Sequence, residues 1–301
     1  MSNVKELKDR IGAVRDTRQI TNAMFLVAST KLRHAKEDLE RTRPYFDALR
    51  REMFRLFRAD SGLVNRYFYD EDGTLPDDGV SGILVITGDK GLAGAYNLNV
   101  LRKAEALTKE NPGARLFVIG EYGRRWFQTR RIPIEPEFRY SAQIPNQDDS
   151  RDICTRLLEL YQRSELDEIL VVYTDMQSSV SSAVRVDRLL PLARSRLAAA
   201  ERDPFSAAEI EYEYFPSQEA VLEAVMRSYL SGFIYSAVVD SLCAEQNARV
   251  TSMESANRNA EELIAALSLQ LNRERQSAIT QEITEISAGA QAQRRGRKEE
   301  A

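Results

Sequence analysis

The chain has 301 residues, 42 of them Lys or Arg and 46 Asp or Glu, for a formal net charge of -4. Hydrophobic residues make up 43% and charged residues 29%, the composition of a globular protein rather than a disordered or fibrous one. Two cysteines, Cys154 and Cys243, and one histidine, His34, exclude a disulfide scaffold, a four-cysteine zinc site, most catalytic triads and H-E-x-x-H metal sites.

The N-terminus mixes both charge signs and has no apolar core, so it reads neither as a signal peptide nor as a transit peptide. The most apolar long stretch, Ser228 to Ala244, is interrupted by Asp240 and is shorter than the roughly 20 residues a membrane helix needs. A soluble, cytoplasmic chain is the expectation, with room for docking on something membrane-bound.

Glycine and proline divide the chain. Ten of 14 glycines lie between Gly62 and Gly123, and eight of nine prolines between Pro76 and Pro216. Both residues interrupt helices, so the two ends read as long helices and the middle as a turn-rich domain.

Residues 1–58 form the first helix. Steps of three and four from Val4 reach Leu7, Ile11, Val14, Arg18, Thr21, Phe25, Ala28, Leu32, Ala35, Leu39, Thr42, Phe46, Leu49, Met53 and Leu56; 13 of these 16 positions are apolar. This is a coiled-coil seam, and it resumes in register after Pro44. Such a helix is roughly 80 Å long and needs a partner.

Residues 59–79, rich in Asp and Gly, read as a linker into the central domain at 80–216. There, Gly82–Thr87, Leu116–Gly120 and Glu168–Thr174 are apolar runs of buried-strand length. Helices are expected over 98–109, 122–129 and 149–163, with a last strand at 209–215. The pattern predicts a Rossmann-like, mostly parallel α/β sheet.

The second long helix spans 217–293, with Ser217 as the expected N-cap and Glu219 in the first turn. Its seam runs through Leu222, Val225, Tyr229, Val239, Cys243, Val250, Met253, Ala260, Ile264, Leu267 and Leu271. It then shifts to Ile279, Ile283 and Ile286, as a stutter would produce. Residues 294–301 read as a polar tail. The expected fold class is α/β: a long antiparallel two-helix coiled coil from both chain ends, carrying the central α/β domain.

Motifs for chemistry are sparse. The turn Gly88-Asp89-Lys90-Gly91-Leu92-Ala93-Gly94 follows a strand and precedes a helix, the place where backbone amides bind anions. It has the spacing of neither G-x-G-x-x-G nor G-x-x-x-x-G-K-[ST], so it reads as a tight packing turn. His34 falls on a polar helix face, and the cysteines read as buried structural thiols. Residues 1–58 carry 14 basic and 8 acidic residues, leaving the rest of the chain acidic. Because acidic residues are mixed in and aromatics are not interleaved, this basic helix points to a protein partner rather than nucleic acid.

Three segments carry a resemblance. Ile20–Met24 with Val27–Leu32, the stretch Thr87–Asn97, and above all Arg275–Ile286 (RQSAITQEITEI) are similar in order and spacing to the F-type ATP synthase gamma subunit. The resemblance implies a bacterial central-stalk rotor without catalytic residues, cofactor or metal. Its implied partners are three alpha and three beta subunits, an epsilon subunit and the c-ring, at the cytoplasmic face of the plasma membrane. It further implies that Arg275, Gln276, Thr280 and Glu282 are polar catches on the beta subunit. Arg249 and Met24 would face the acidic beta lever, and Tyr212 and Tyr214 would stand at the foot near the c-ring. Ser287–Ala290 offers a small-residue surface suited to sliding. Asn22, Phe25, Glu254 and Arg258 depart from the family pattern. Two competing readings are a Rossmann-like nucleotide-binding enzyme with helical oligomerisation arms and a coiled-coil RNA-binding scaffold.

Overall fold

The computed structural model describes residues 2–59, 67–69, 79–177, 181–193 and 213–299. The long helices are α1 (Ser2–Ala59) and α5 (Gln218–Glu299). Between them lie β1 (Phe68–Tyr69), β2 (Ser81–Ile86), α2 (Tyr96–Glu110), β3 (Arg115–Ile119), α3 (Glu121–Thr129), α4 (Gln147–Gln162), β4 (Glu168–Met176), β5 (Ser182–Leu190) and β6 (Leu192–Ala193). The chain divides into two compact units, residues 1–27 with 250–301, and residues 28–249.

In the first unit the helix ends pair antiparallel. Leu7 and Ile11 of α1 are buried with Leu267 of α5, and Val14, Ile264 and Leu271 close the cluster. The polar breaks in the α1 seam have partners in the same order. Arg18 reaches Glu261 at 2.5 Å, and the Thr21 hydroxyl donates to Asn257 Oδ1. Each polar layer is satisfied across the seam, as a register-setting position requires.

In the second unit the sheet order is β3-β2-β4-β5; the first three strands are parallel and β5 is antiparallel to β4. Strand side chains alternate between faces. Ile83, Val85, Leu116 and Val118 pack under Val100, Leu101 and Ala104 of α2 and Phe127 of α3. Leu84, Ile86, Phe117 and Ile119 face the other way. They share a core with Ile153 and Leu157 of α4, Leu222, Met226, Leu230 and Ile234 of α5, and Met53 of α1. Further along, Ala35 of α1 is buried with Tyr235, Val239, Leu242 and Cys243 of α5.

Most elements fall within two residues of their expected bounds. Ser217 caps α5 by accepting from the Ala220 N–H at 3.2 Å, and α1 continues through Pro44. Four features differ. Strand β5 has no counterpart among the expected elements; its half-exposed faces carry Arg185, Asp187 and Arg188, which break the apolar alternation. Within the expected linker, Tyr67 and Phe68 are buried, and β1 pairs with β6. Helix α5 continues past Gln293 to Glu299, since its Arg and Lys residues are good helix formers. The expected strand at 209–215 lies outside the described residues up to 212, and residues 213–215 are not in a strand.

Candidate partner surfaces and the domain–helix junction

In an open α/β sheet, ligands bind beyond the carboxyl ends of the strands, where the chain reverses its direction of winding. Here that point lies between β2 and β4, because β3 and β4 flank β2 on opposite sides. Helix α5 occupies it. The Thr174 N–H at the end of β4 donates to Ser241 Oγ at 3.2 Å. At the end of β2, a Cβ on Gly88 would lie 2.7 Å from Glu245 Cδ, so a larger residue there would push that carboxylate from its place. Arg249 Nη2 donates to Gly91 O at 3.0 Å and pairs with Glu245 at 2.5 Å.

The turn itself is fastened from α2. The Gly88 N–H donates to Asn97 Oδ1 at 2.9 Å, and Asn97 Nδ2 donates to Lys90 O at 3.2 Å. Glu245 is 3% exposed and Arg249 8% exposed. Burial pushes the Glu245 carboxyl above the usual glutamate range, with Arg249 opposing and Asp89 adding to the shift. A phosphate would meet a carboxylate and an amide already used by Asn97. This arrangement disfavours the nucleotide-binding alternative. Among the described residues no group of three or more His, Cys, Asp or Glu is placed to hold a metal ion.

The expected contact residues are distributed unevenly. Arg275, Gln276, Thr280 and Glu282 are all exposed on α5. Arg275 and Glu282 stand two turns apart on one face, and Gln276 and Thr280 one turn apart on another, roughly 120° round the helix. The Thr280 hydroxyl donates back to Gln276 O at 2.9 Å, which leaves its oxygen free to accept. Ile283 and Ile286 are 60% and 72% exposed and Ile279 is exposed as well. These three do not continue the internal seam, a correction to the stutter expectation: no α1 residue packs on them among the described residues. Met24 is half-buried on α1. Tyr214 is half-buried against the sheet core, and Tyr212 lies outside the described residues.

A family model described as "ATP synthase" matches residues 3–293. The ATP synthase gamma chain of Acetivibrio thermocellus is 37% identical over 295 residues, covering 97% of this chain and 99% of its own length. The chain belongs to the ATP synthase gamma family. The sodium ion specific ATP synthase gamma chain of Acetobacterium woodii is 36% identical over 302 residues, covering 96% of this chain and 98% of its own. The fold is similar to that of a chain in the Euglena gracilis mitochondrial ATP synthase. There the TM-score is 0.66 at 19% identity, over 99% of this chain and 96% of that one.

A gamma chain is a non-catalytic subunit, so its functional residues are contact surfaces rather than an active site. Among the described residues no helix is long and apolar enough to cross a membrane. The Glu245–Gly88 fit is the feature that sequence reasoning missed. A Glu four residues before an Arg on one helix face is visible in the sequence. That the pair lies over a glycine turn in another part of the chain is not.

Proposed function

We propose that this gamma chain is the central-stalk rotor of an F-type ATP synthase at the cytoplasmic face of a bacterial membrane. Its α/β domain stands on a c-ring beside an epsilon subunit, and its helix pair enters a ring of three alpha and three beta subunits. Rotation driven by ion flow turns the chain. Its asymmetric helices then take each beta site through different nucleotide affinities, in synthesis or in ATP-driven pumping.

One observation supports this reading: the helix pair satisfies itself inside and leaves four of the candidate contact residues outside. Leu7, Ile11 and Leu267 close the seam, while Arg275, Gln276, Thr280 and Glu282 stand exposed. Directional polar groups on such a surface can form and break hydrogen bonds in turn, each worth roughly 1 kcal/mol. The exposed Ile283 and Ile286, followed by Ser287–Ala290, supply a smoother surface for sliding.

Arg275, Gln276, Thr280, Glu282 and Met24 are proposed to meet beta subunits. Arg249 is 8% exposed and engaged by Gly91 and Glu245, so it would do so only by giving up those contacts. Tyr212 and Tyr214 are proposed to stand near the c-ring.

The test is reconstitution with alpha and beta subunits. ATPase activity should depend on this chain, and Arg275→Ala with Gln276→Ala should slow turnover roughly tenfold, the loss of about 1.4 kcal/mol. Activity indifferent to the chain's omission would overturn the rotor reading. Wild-type turnover in the double variant would remove the catch assignment alone.

A further inference from the structure

We infer that Glu245, seated on the Gly88 turn, is the key that fixes α5 against rotation relative to the α/β domain, making it a positioning residue for torque transfer. The inference rests on the rotor reading and adds a location to it. A rotor driven from its foot must pass torque from the α/β domain into the shaft helices. Apolar packing resists separation well, but it is non-directional and resists sliding by one ridge less well. A directional lock is therefore needed where domain and helix meet.

Three contacts from one face of α5, two of them hydrogen bonds and one a close fit, make such a lock. Ser241, Glu245 and Arg249 are spaced four residues apart, so they form one stripe about 12 Å long. Ser241 receives the Thr174 N–H of β4, Glu245 fills the space over Gly88, and Arg249 holds the Gly91 carbonyl. The stripe thus grips both neighbouring strands at the sheet's switch point. Beside it, Ala93, Tyr96, Ala244 and Ala248 bring the turn and the helix close together. Nearer its start, α5 meets the core through the apolar side chains of Leu222, Met226, Leu230 and Ile234.

The choice of an acid at position 245 supports a registering role. Glu245 and Arg249 pair within α5; burying such a pair contributes little net stability compared with well-packed apolar residues, so its use here is to hold both side chains against the turn. Because both charges lie on α5, turning the helix would carry the pair with it, but would take Arg249 from the Gly91 carbonyl and Glu245 from the space over Gly88.

The experiment uses the complete complex in sealed vesicles, measuring ATP hydrolysis and ion pumping together. Gly88→Ala should place a methyl group against the carboxylate. Pumping per ATP is expected to fall at least twofold while hydrolysis persists. Gly88→Ala with Glu245→Asp withdraws the carboxylate by one methylene and should restore at least half of the lost coupling. Glu245→Ala removes the key without a clash and should uncouple as Gly88→Ala does, so it decides the question if Gly88→Ala fails to assemble. Unchanged pumping per ATP in Glu245→Ala, or no recovery in the Asp double variant, would overturn the inference. Failure of the rotor reading looks different: hydrolysis would then be the same with the chain omitted.

Discussion

Gly232 of α5 lies directly against the ring of Phe46 in α1: a Cβ on Gly232 would sit 2.1 Å from the ring. Glycine in mid-helix costs about 1 kcal/mol relative to alanine, and here it permits a bulky aromatic to reach the helix backbone. Phe46 in turn lies 6.4 Å from Tyr235, centroid to centroid, so the ring is held from a second side.

Gly232→Ala should therefore destabilise the chain by about 1–2 kcal/mol, because overpacking outweighs the gain in helix propensity. Urea denaturation reads the difference, and Phe46→Leu in the same chain should return part of it. A midpoint at or above wild type would show that the ring yields without cost.

Arg18 and Glu261 pair at 2.5 Å with side chains 47% and 55% exposed. Exposure on both sides limits such a pair to less than about 1 kcal/mol. A double-mutant cycle with Arg18→Ala and Glu261→Ala should give a coupling in that range, shrinking as salt is raised to 1 M. A salt-independent coupling of several kcal/mol would mean that the pair is far drier than its exposure indicates.

Glu245 predicts a pH dependence of known sign. Its carboxyl is held above the ordinary glutamate value first by burial, against the opposing pull of Arg249 and Lys31 and with Asp89 adding to it. The native state then binds the proton more tightly than the unfolded state. Stability contributed by this group falls as pH rises from about 4.3, the unfolded value, through the higher native one. Wild type should accordingly lose stability relative to Glu245→Gln between pH 4 and pH 7, measured by denaturation at several pH values. The opposite slope would show that pairing with Arg249 outweighs burial.

Burial pushes the Cys154 and Cys243 thiols up to about 12. Because the thiolate is the reactive form, both should resist alkylation at pH 8 in the native chain and react on unfolding. Mass spectrometry after brief iodoacetamide treatment checks this. Rapid native labelling of either residue would place it in an open environment.

Much of this architecture was legible because helices and buried strands are written in short-range patterns. The α1 seam predicted Leu7, Ile11, Ala28, Ala35 and Met53 as inward positions, and all are buried. Even its polar interruptions at Arg18 and Thr21 meet α5. Strand β5 was not legible. Its charges are balanced by neighbours on β4, with Arg185 bonded to Asp175 at 2.7 Å and Arg188 to Glu168 at 3.0 Å, and these strands pair only once the sheet has formed.

Of the contact surface, the sequence indicated which residues resemble family catches, and exposure of Arg275, Gln276, Thr280 and Glu282 is compatible with that role. It gave no warning that Arg249 turns inward, since an arginine on a charged helix is usually solvated. By itself the sequence determined two long helices, three parallel strands and membership of the gamma family. These follow from periodicities within a few residues and from contiguous signatures. Only the tertiary structure decided that α5 covers the sheet's switch point, and that a missing side chain at Gly88 makes room for Glu245. Shape complementarity between distant segments has no local pattern, because it arises only when folding brings them together.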